Sequence, residues 1–251
     1  MCTVKKLSIL LLGALSITSC KTPTYLNSSR TATIYPINAT IETDSTIVKY
    51  YLPFKQQMES EMNRPIGYSE HFLSKSRSDA ESLAGNFFAD ALLAIGKKVD
   101  PEVQIAIATK GGIRSELKQG TVTVGSMFEI MPFENTITVL TLSGQDIINL
   151  ANFIAKTEGQ PIAGFTLKIK GDKPADIRIN GKELDVNATY KLVTYDYLAN
   201  GGDYMEGVFH PIKRVNTATR VREGLIEYVE ELTKAGKNIN TKLDGRVTVI
   251  K

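Results

Sequence analysis

Tryptophan is absent from the chain, and cysteine and histidine occur only twice each in 251 residues. With so few thiols there is no disulfide framework, so the fold must rest on an apolar core of ordinary size. A hydrolytic centre of two divalent metals needs several histidines set among Asp and Asn ligands. His71 and His210 lie far apart, and no aspartate is followed two positions later by histidine. There is also no GxxxxGK[ST] phosphate loop, no GxSxG elbow and no thiol nucleophile in the folded part. Strong charge of one sign is missing too, the formal net charge being +3. Non-specific nucleic-acid binding needs a larger basic excess. No apolar run is long enough to span a bilayer as a helix.

The longest such run, "LSILLLGALSI", follows the basic "MCTVKK" and leads into "ITSC". Basic n-region, short apolar stretch and small residues before a cysteine have the form of a secretory leader. The pattern resembles a bacterial lipobox, which implies a lipoprotein signal over 1–19, lipid on Cys20 and a place in the cell envelope. Such processing would remove Lys5 and Lys6 and no acid, leaving the remainder close to neutral. Residues 20–43, rich in Thr, Ser and Asn, read as a tether, and 44–251 as one folded domain.

Within that domain helical and strand patterns alternate. Ile47, Tyr50, Tyr51, Phe54 and Met58 form a stripe over 44–62, with Pro53 expected to kink or restart the helix. A strand is expected over 66–74. The helix over 78–98 carries Leu83, Phe87, Phe88, Ala91, Leu92 and Ile95 on one face, and Ser78-x-x-Glu81 offers a capping box. Strands follow at "EVQIAIAT", "TITVLTL", "GFTLKIKG", "DIRIN", "YKLVTYDYL" and "GRVTVI". Helices are expected over 144–157, with Ile147, Ile148, Ala151 and Ile154 inward, and over 219–234, with Val221, Leu225, Val229 and Leu232 on one side. Asn180-Gly181 is a hairpin signal, so the sheets cannot be purely parallel. The class is α/β of the α+β type, with mixed sheets and interleaved helices.

Three loops set glycine or proline beside one polar or aromatic residue at a strand end: "TKGGIR" (109–114), "MPFEN" (131–135) and "YLANGGD" (197–203). Arg114 can grip a phosphate through its fork. Phe133 and Tyr197 can stack on a flat ring. Asp203, an acceptor-only group, suits paired sugar hydroxyls. Taken singly, each of these also fits a plain structural role in a turn or core.

"ESLAGNFFADALL", "TKGGIRSEL", "MPFENTITVLTLSG" and "YLANGGD", in this order, closely resemble the C-terminal domain of the 5′-nucleotidase family. The resemblance covers most of 44–235 and implies that fold. It assigns Arg114 to substrate phosphate, Phe133 and Tyr197 to the two faces of the base, Asp203 to ribose and Asn135 to the base edge. The chain departs from the family at Thr109, where Asn or Ser is common, at Lys110, where a small residue is common, and at Tyr197, where Phe is commoner. Arg77, the nearest counterpart of a second phosphate-facing arginine, lies one position out of register. Complete family members resemble two-part enzymes with a metallophosphoesterase domain. This sequence therefore reads as the nucleotide-recognition half of a split 5′-nucleotidase. On that reading it carries no catalytic residue and no cofactor of its own, and a separate metallophosphoesterase chain is expected to supply divalent metals. The alternatives are a non-catalytic nucleotide- or nucleoside-binding envelope lipoprotein and an interaction module with a dead pocket.

Overall fold

The computed structural model describes residues 34–38, 40–208 and 210–250. The expected leader, the lipidated Cys20 and most of the tether lie outside the described residues. The chain divides at Val48/Lys49 into two units. In the first, the Asp44 carboxylate accepts the N–H of Thr46 at 2.8 Å and of Ile47 at 3.2 Å. This caps helix α1 (Ser45–Met62), which runs unbroken through Pro53. No residue of α1 is buried, and the stripe Ile47, Tyr50, Tyr51, Phe54 and Met58 is exposed.

The second unit is organised by a mixed sheet with the strand order β10-β4-β9-β2-β5. These strands are β2 (Ile105–Ile107), β4 (Thr136–Ser143), β5 (Ile162–Ala163), β9 (Thr189–Tyr195) and β10 (Lys213–Arg220). β2 and β9 are parallel neighbours, while β4 runs antiparallel to both β9 and β10. The carboxyl ends of β2, β9 and β10 and the amino end of β4 therefore meet at one sheet edge. Ile137 pairs with Tyr195 and Thr136 with Arg220 at that edge.

Helix α2 (Leu83–Val99) packs on β2, β5 and β9. Its buried face contains Phe87, Phe88, Ala91, Leu92 and Ile95, as the spacing predicts. The capping box expected at Ser78 and Glu81 does not form. Ser82 is the cap, its hydroxyl accepting the Gly85 N–H at 3.2 Å. Glu81 instead accepts from the Asn86 side chain at 2.6 Å and from the backbone of Asp244 and Gly245. Two of these donors lie 163 and 164 residues along the chain and the third, Asn86, on α2 itself, so the carboxylate is engaged without Ser78. The strand expected over 66–74 is shorter: β1 (Pro65–Ser69) pairs with β3 (Gly120–Thr123), and Leu73 makes only an isolated bridge to Leu117. The short segment after β3 is helix α3 (Val124–Ile130), closed by a Thr123/Ser126 capping box.

Helix α4 (Gly144–Lys156) also begins with a capping box, Ser143 with Asp146. Its inward residues are Ile147, Leu150, Ala151 and Ile154, with Ile148 half-buried rather than inward. α4 packs between the central sheet and a second sheet of order β11-β6-β7-β8. That sheet comprises β6 (Phe165–Lys170), β7 (Lys173–Ile179), β8 (Lys182–Glu183) and β11 (Val247–Ile250). β6 alternates buried and exposed residues along its length, the mark of a half-covered sheet. The β7–β8 turn is Asn180-Gly181, with φ of +49° and +78°, the left-handed pair a tight hairpin needs. Where strand "YKLVTYDYL" was expected, β9 stops at Tyr195 and residues Asp196–Ala199 form one turn of helix, α5. Helix α6 (Val221–Lys234) follows β10 and buries Val221, Leu225 and Val229.

α2 lies close on β9 because Gly96 has no side chain: a Cβ there would meet Val193 atoms at 2.6 Å. Gly96→Val is expected to destabilise the domain by about 1–3 kcal/mol through overpacking. The check is the midpoint of urea unfolding, and an unchanged midpoint contradicts this packing.

Candidate functional site

The sheet edge where β2, β9, β10 and β4 converge gathers the three candidate loops. The loop after β2 carries Thr109 to Arg114, the loop before β4 carries Phe133 and Asn135, and the segment after β9 carries Tyr197 and Asp203. Together they enclose a cavity of about 320 Å³ lined by Gly111, Gly112, Arg114, Phe133, Asn135, Tyr195, Tyr197 and Asp203. Clefts at the carboxyl ends of parallel strands are a recurrent place for ligands in mixed sheets. Of the residues singled out in the sequence, Arg114, Phe133, Asn135, Tyr197 and Asp203 are brought together here. Arg77 is exposed on the loop before α2 and is not among the lining residues.

Asp203 is the hub. Its carboxylate accepts the Thr109 hydroxyl at 2.5 Å and the Tyr197 hydroxyl at 3.0 Å. One carboxyl thus ties the end of β2 to the turn after β9. The Thr109 hydroxyl oxygen also accepts the Gly112 N–H at 3.3 Å, which tightens the glycine loop. Neither Gly111 nor Gly112 has a left-handed φ. Close approach requires the second of them: a Cβ on Gly112 would meet the Tyr195 hydroxyl at 2.3 Å, whereas one on Gly111 would be in ordinary contact, 3.6 Å from the Asp203 carboxylate. The second glycine pair works differently. Gly201 takes φ +92°, while a Cβ on Gly202 would strike the Tyr197 ring at 2.4 Å. Asp203 and Tyr204 follow with φ of +54° and +55°. Two successive non-glycine residues in this region hold backbone strain, which clusters at functional sites.

Arg114 is fixed from both sides. Its backbone N–H donates to Ile130 C=O at 2.9 Å, and its guanidinium donates to Gly111 C=O at 3.1 Å. The guanidinium carbon lies 5.8 Å from the centre of the Phe133 ring. Among the described residues, one of the five N–H donors of the fork is thereby used. Phe133 and Tyr197 are 41 % and 48 % exposed, so part of each ring is open where it lines the cavity. Lys110 points away from this fork: its ammonium donates to Glu158 C=O at 3.0 Å and Arg77 C=O at 3.3 Å, and burial lowers its pKa. Lys75, which the sequence did not single out, reaches Arg114 C=O at 3.4 Å. Its pKa is lowered, first by burial and then by the charges of Arg77 and Arg114. Lys75 and Arg77 thus add positive charge near Arg114, and Asp203 contributes an acidic group to the same cavity.

Tyr195 was missed by sequence reasoning because it sits in the strand pattern like any core aromatic. It is 1 % exposed, and among the described residues its hydroxyl is the one buried side-chain polar atom without a hydrogen-bond partner. Burial pushes this phenol up to about 12. Among the described residues no group of three or more His, Cys, Asp and Glu could hold a metal ion. His71 and His210 are both exposed.

Comparison with known proteins follows the same lines. The family model for the 5′-nucleotidase C-terminal domain matches residues 65–209, which include every lining residue of the cavity. The trifunctional nucleotide phosphoesterase protein YfkN of Bacillus subtilis is 29 % identical over 236 residues, covering 85 % of this chain but 16 % of that protein. The 5′-nucleotidase of Vibrio parahaemolyticus is 26 % identical over 199 residues, covering 76 % and 34 %. Among solved structures, the 5′-nucleotidase precursor of Thermus thermophilus superposes with a TM-score of 0.70 at 26 % identity, over 83 % of this chain and 44 % of that one. The chain spans less than half the length of each of these relatives.

A phenol whose pKa rises on folding binds its proton more tightly in the native state, so its contribution is complete below pH 10 and lost as pH climbs toward 12. Stability is expected to fall by up to about 1.4 kcal/mol per pH unit across that window from this group. Tyr195→Phe should remove that part of the slope and cost little at pH 8, since no hydrogen bond is lost. Urea unfolding of both proteins at pH 8, 10 and 11 is the check, and identical slopes contradict the burial of an unpartnered phenol.

Proposed function

The chain belongs to the family of 5′-nucleotidase C-terminal domains, and from that premise we propose that it is the nucleotide-recognition half of a 5′-nucleotidase. The single observation that carries this reading is the shared cavity: two half-exposed rings, a guanidinium with free donors and a carboxylate, drawn from distant parts of the sequence. Each matches one part of a nucleoside 5′-monophosphate. Phe133 and Tyr197 take the base by stacking, which every base can satisfy. Asn135 offers both a donor and an acceptor to the base edge. Asp203 takes ribose hydroxyls on the lone pairs that Thr109 and Tyr197 leave open. Arg114 takes phosphate through a charge-assisted fork.

Hydrolysis in this proposal comes from a separate metallophosphoesterase chain that supplies two divalent metals and the attacking water. The sequence inventory supports that division, since two exposed histidines and no Asp-x-His motif give little to build such a centre from. This chain would hold the base and sugar, and the binding energy of those remote parts would fix the phosphate against the partner's metals. The envelope is the proposed location, with lipid on Cys20 as the anchor.

Calorimetry with AMP tests the recognition reading. Phe133→Ala and Tyr197→Ala should each weaken binding by about 1–3 kcal/mol, roughly 5- to 150-fold. Arg114→Ala should weaken AMP and leave adenosine almost unchanged. Hydrolysis of AMP with Mn²⁺ should appear only when a metallophosphoesterase is added. Robust turnover by the chain alone would refute the division of labour, and equal loss of AMP and adenosine on Arg114→Ala would refute the phosphate assignment.

A further inference from the structure

Phe133 stands on a loop with no regular structure between α3 and β4, flanked by the exposed Pro132 and Glu134. A ring on a free loop would have to be ordered at the moment of binding, at a cost in affinity. Here the loop is held from beneath by the start of α6, with one side chain making most of the contacts. Arg222, in the first turn of α6, is 5 % exposed. Its guanidinium donates to Met131 C=O at 3.3 Å and to Phe133 C=O at 3.2 Å from one nitrogen, and to the Glu134 carboxylate at 2.5 Å from another. The guanidinium carbon also lies 3.9 Å from the centre of the Phe128 ring on α3. The N–H of Val221 donates to Asn135 C=O at 2.9 Å. Three consecutive carbonyl- or carboxylate-bearing positions around the ring are thus tied to one helix terminus, and Arg220 forms a second ion pair with Glu134.

We infer that Arg222 is the positioning residue for the base platform: it pre-sets Phe133 for stacking without touching the ligand. The inference rests on the reading of Phe133 as a base contact given above. A planar fork, stacked on one face and donating at its edge, suits this task in a way a lysine point charge does not. The carboxylate arm should persist in mild acid, because the hydrogen bond from Arg222 holds the Glu134 carboxyl below its usual range.

The test is a double-mutant cycle read with two probes, AMP and the base-free ribose 5-phosphate, the latter measured by competition. Arg222→Met should weaken AMP by about tenfold or more and change ribose 5-phosphate less than twofold. Because Arg222 acts through the ring, Phe133→Ala/Arg222→Met should bind AMP no more weakly than Phe133→Ala alone, a strong departure from additivity. Arg222→Lys should rescue only partly. Glu134→Gln, a change at an exposed side chain, should show the same selectivity with a smaller loss, and it carries the test if Arg222→Met does not fold. Parallel loss of both probes, multiplying losses in the cycle, or no change in any variant would overturn the inference. If wild type binds no AMP, or Phe133→Ala changes nothing, the base-stacking reading itself fails and this inference falls with it.

Discussion

The site depends on one carboxylate. Asp203 receives hydroxyls from Thr109 at the end of β2 and from Tyr197 beyond the end of β9. These strands are parallel neighbours, so their carboxyl ends already lie side by side. The two hydroxyls fix the loops that leave them, and in doing so they set the distance between the Arg114 loop and the Tyr197 ring. The geometry also explains the glycines that flank the hub. Gly112 and Gly202 stand where a methyl group would press on Tyr195 or Tyr197. The cavity is open because these positions lack side chains.

The third wall has a different origin. β4 runs antiparallel to β9, so its beginning, not its end, reaches the same edge. The Pro-Phe loop therefore arrives from the opposite direction and cannot be braced by the same strands. Arg222 supplies the brace from α6, which starts at that edge because β10 is antiparallel to β4. Strand direction alone thus decides which elements can support which wall. The cavity so formed carries a cation at Arg114 and an acid at Asp203, the two charges that a phosphate and sugar hydroxyls would require.

Much of this was legible in the sequence, for reasons that can be named. The helices at 83–99, 144–156 and 221–234 follow apolar spacing that buries one face, and Asn180-Gly181 takes the left-handed pair that its turn demands. The lining residues Arg114, Phe133, Asn135, Tyr197 and Asp203 are each ambiguous alone and become readable as a set, through the ordered motifs that carry the family resemblance. What the sequence hides is pairing across distance. Ser82 rather than Ser78 caps α2, and Glu81 is engaged by the backbone near Asp244, over 150 residues away, as well as by its neighbour Asn86. Tyr195 looks like any strand aromatic, and only the packing against Gly112 reveals its unpartnered hydroxyl. Arg222 sits in a helix whose charged pattern gives no sign that one arginine turns inward. Arg77, chosen on a register one position out, stays exposed on its loop.

The central claim is that this cavity is shaped for a nucleoside monophosphate in one orientation. A crystal structure of the chain grown with AMP tests it most directly. The adenine is expected between the rings of Phe133 and Tyr197, the ribose hydroxyls on Asp203 and the phosphate on Arg114. A nucleotide bound elsewhere on the chain, or bound here with its phosphate toward Asp203, would contradict it.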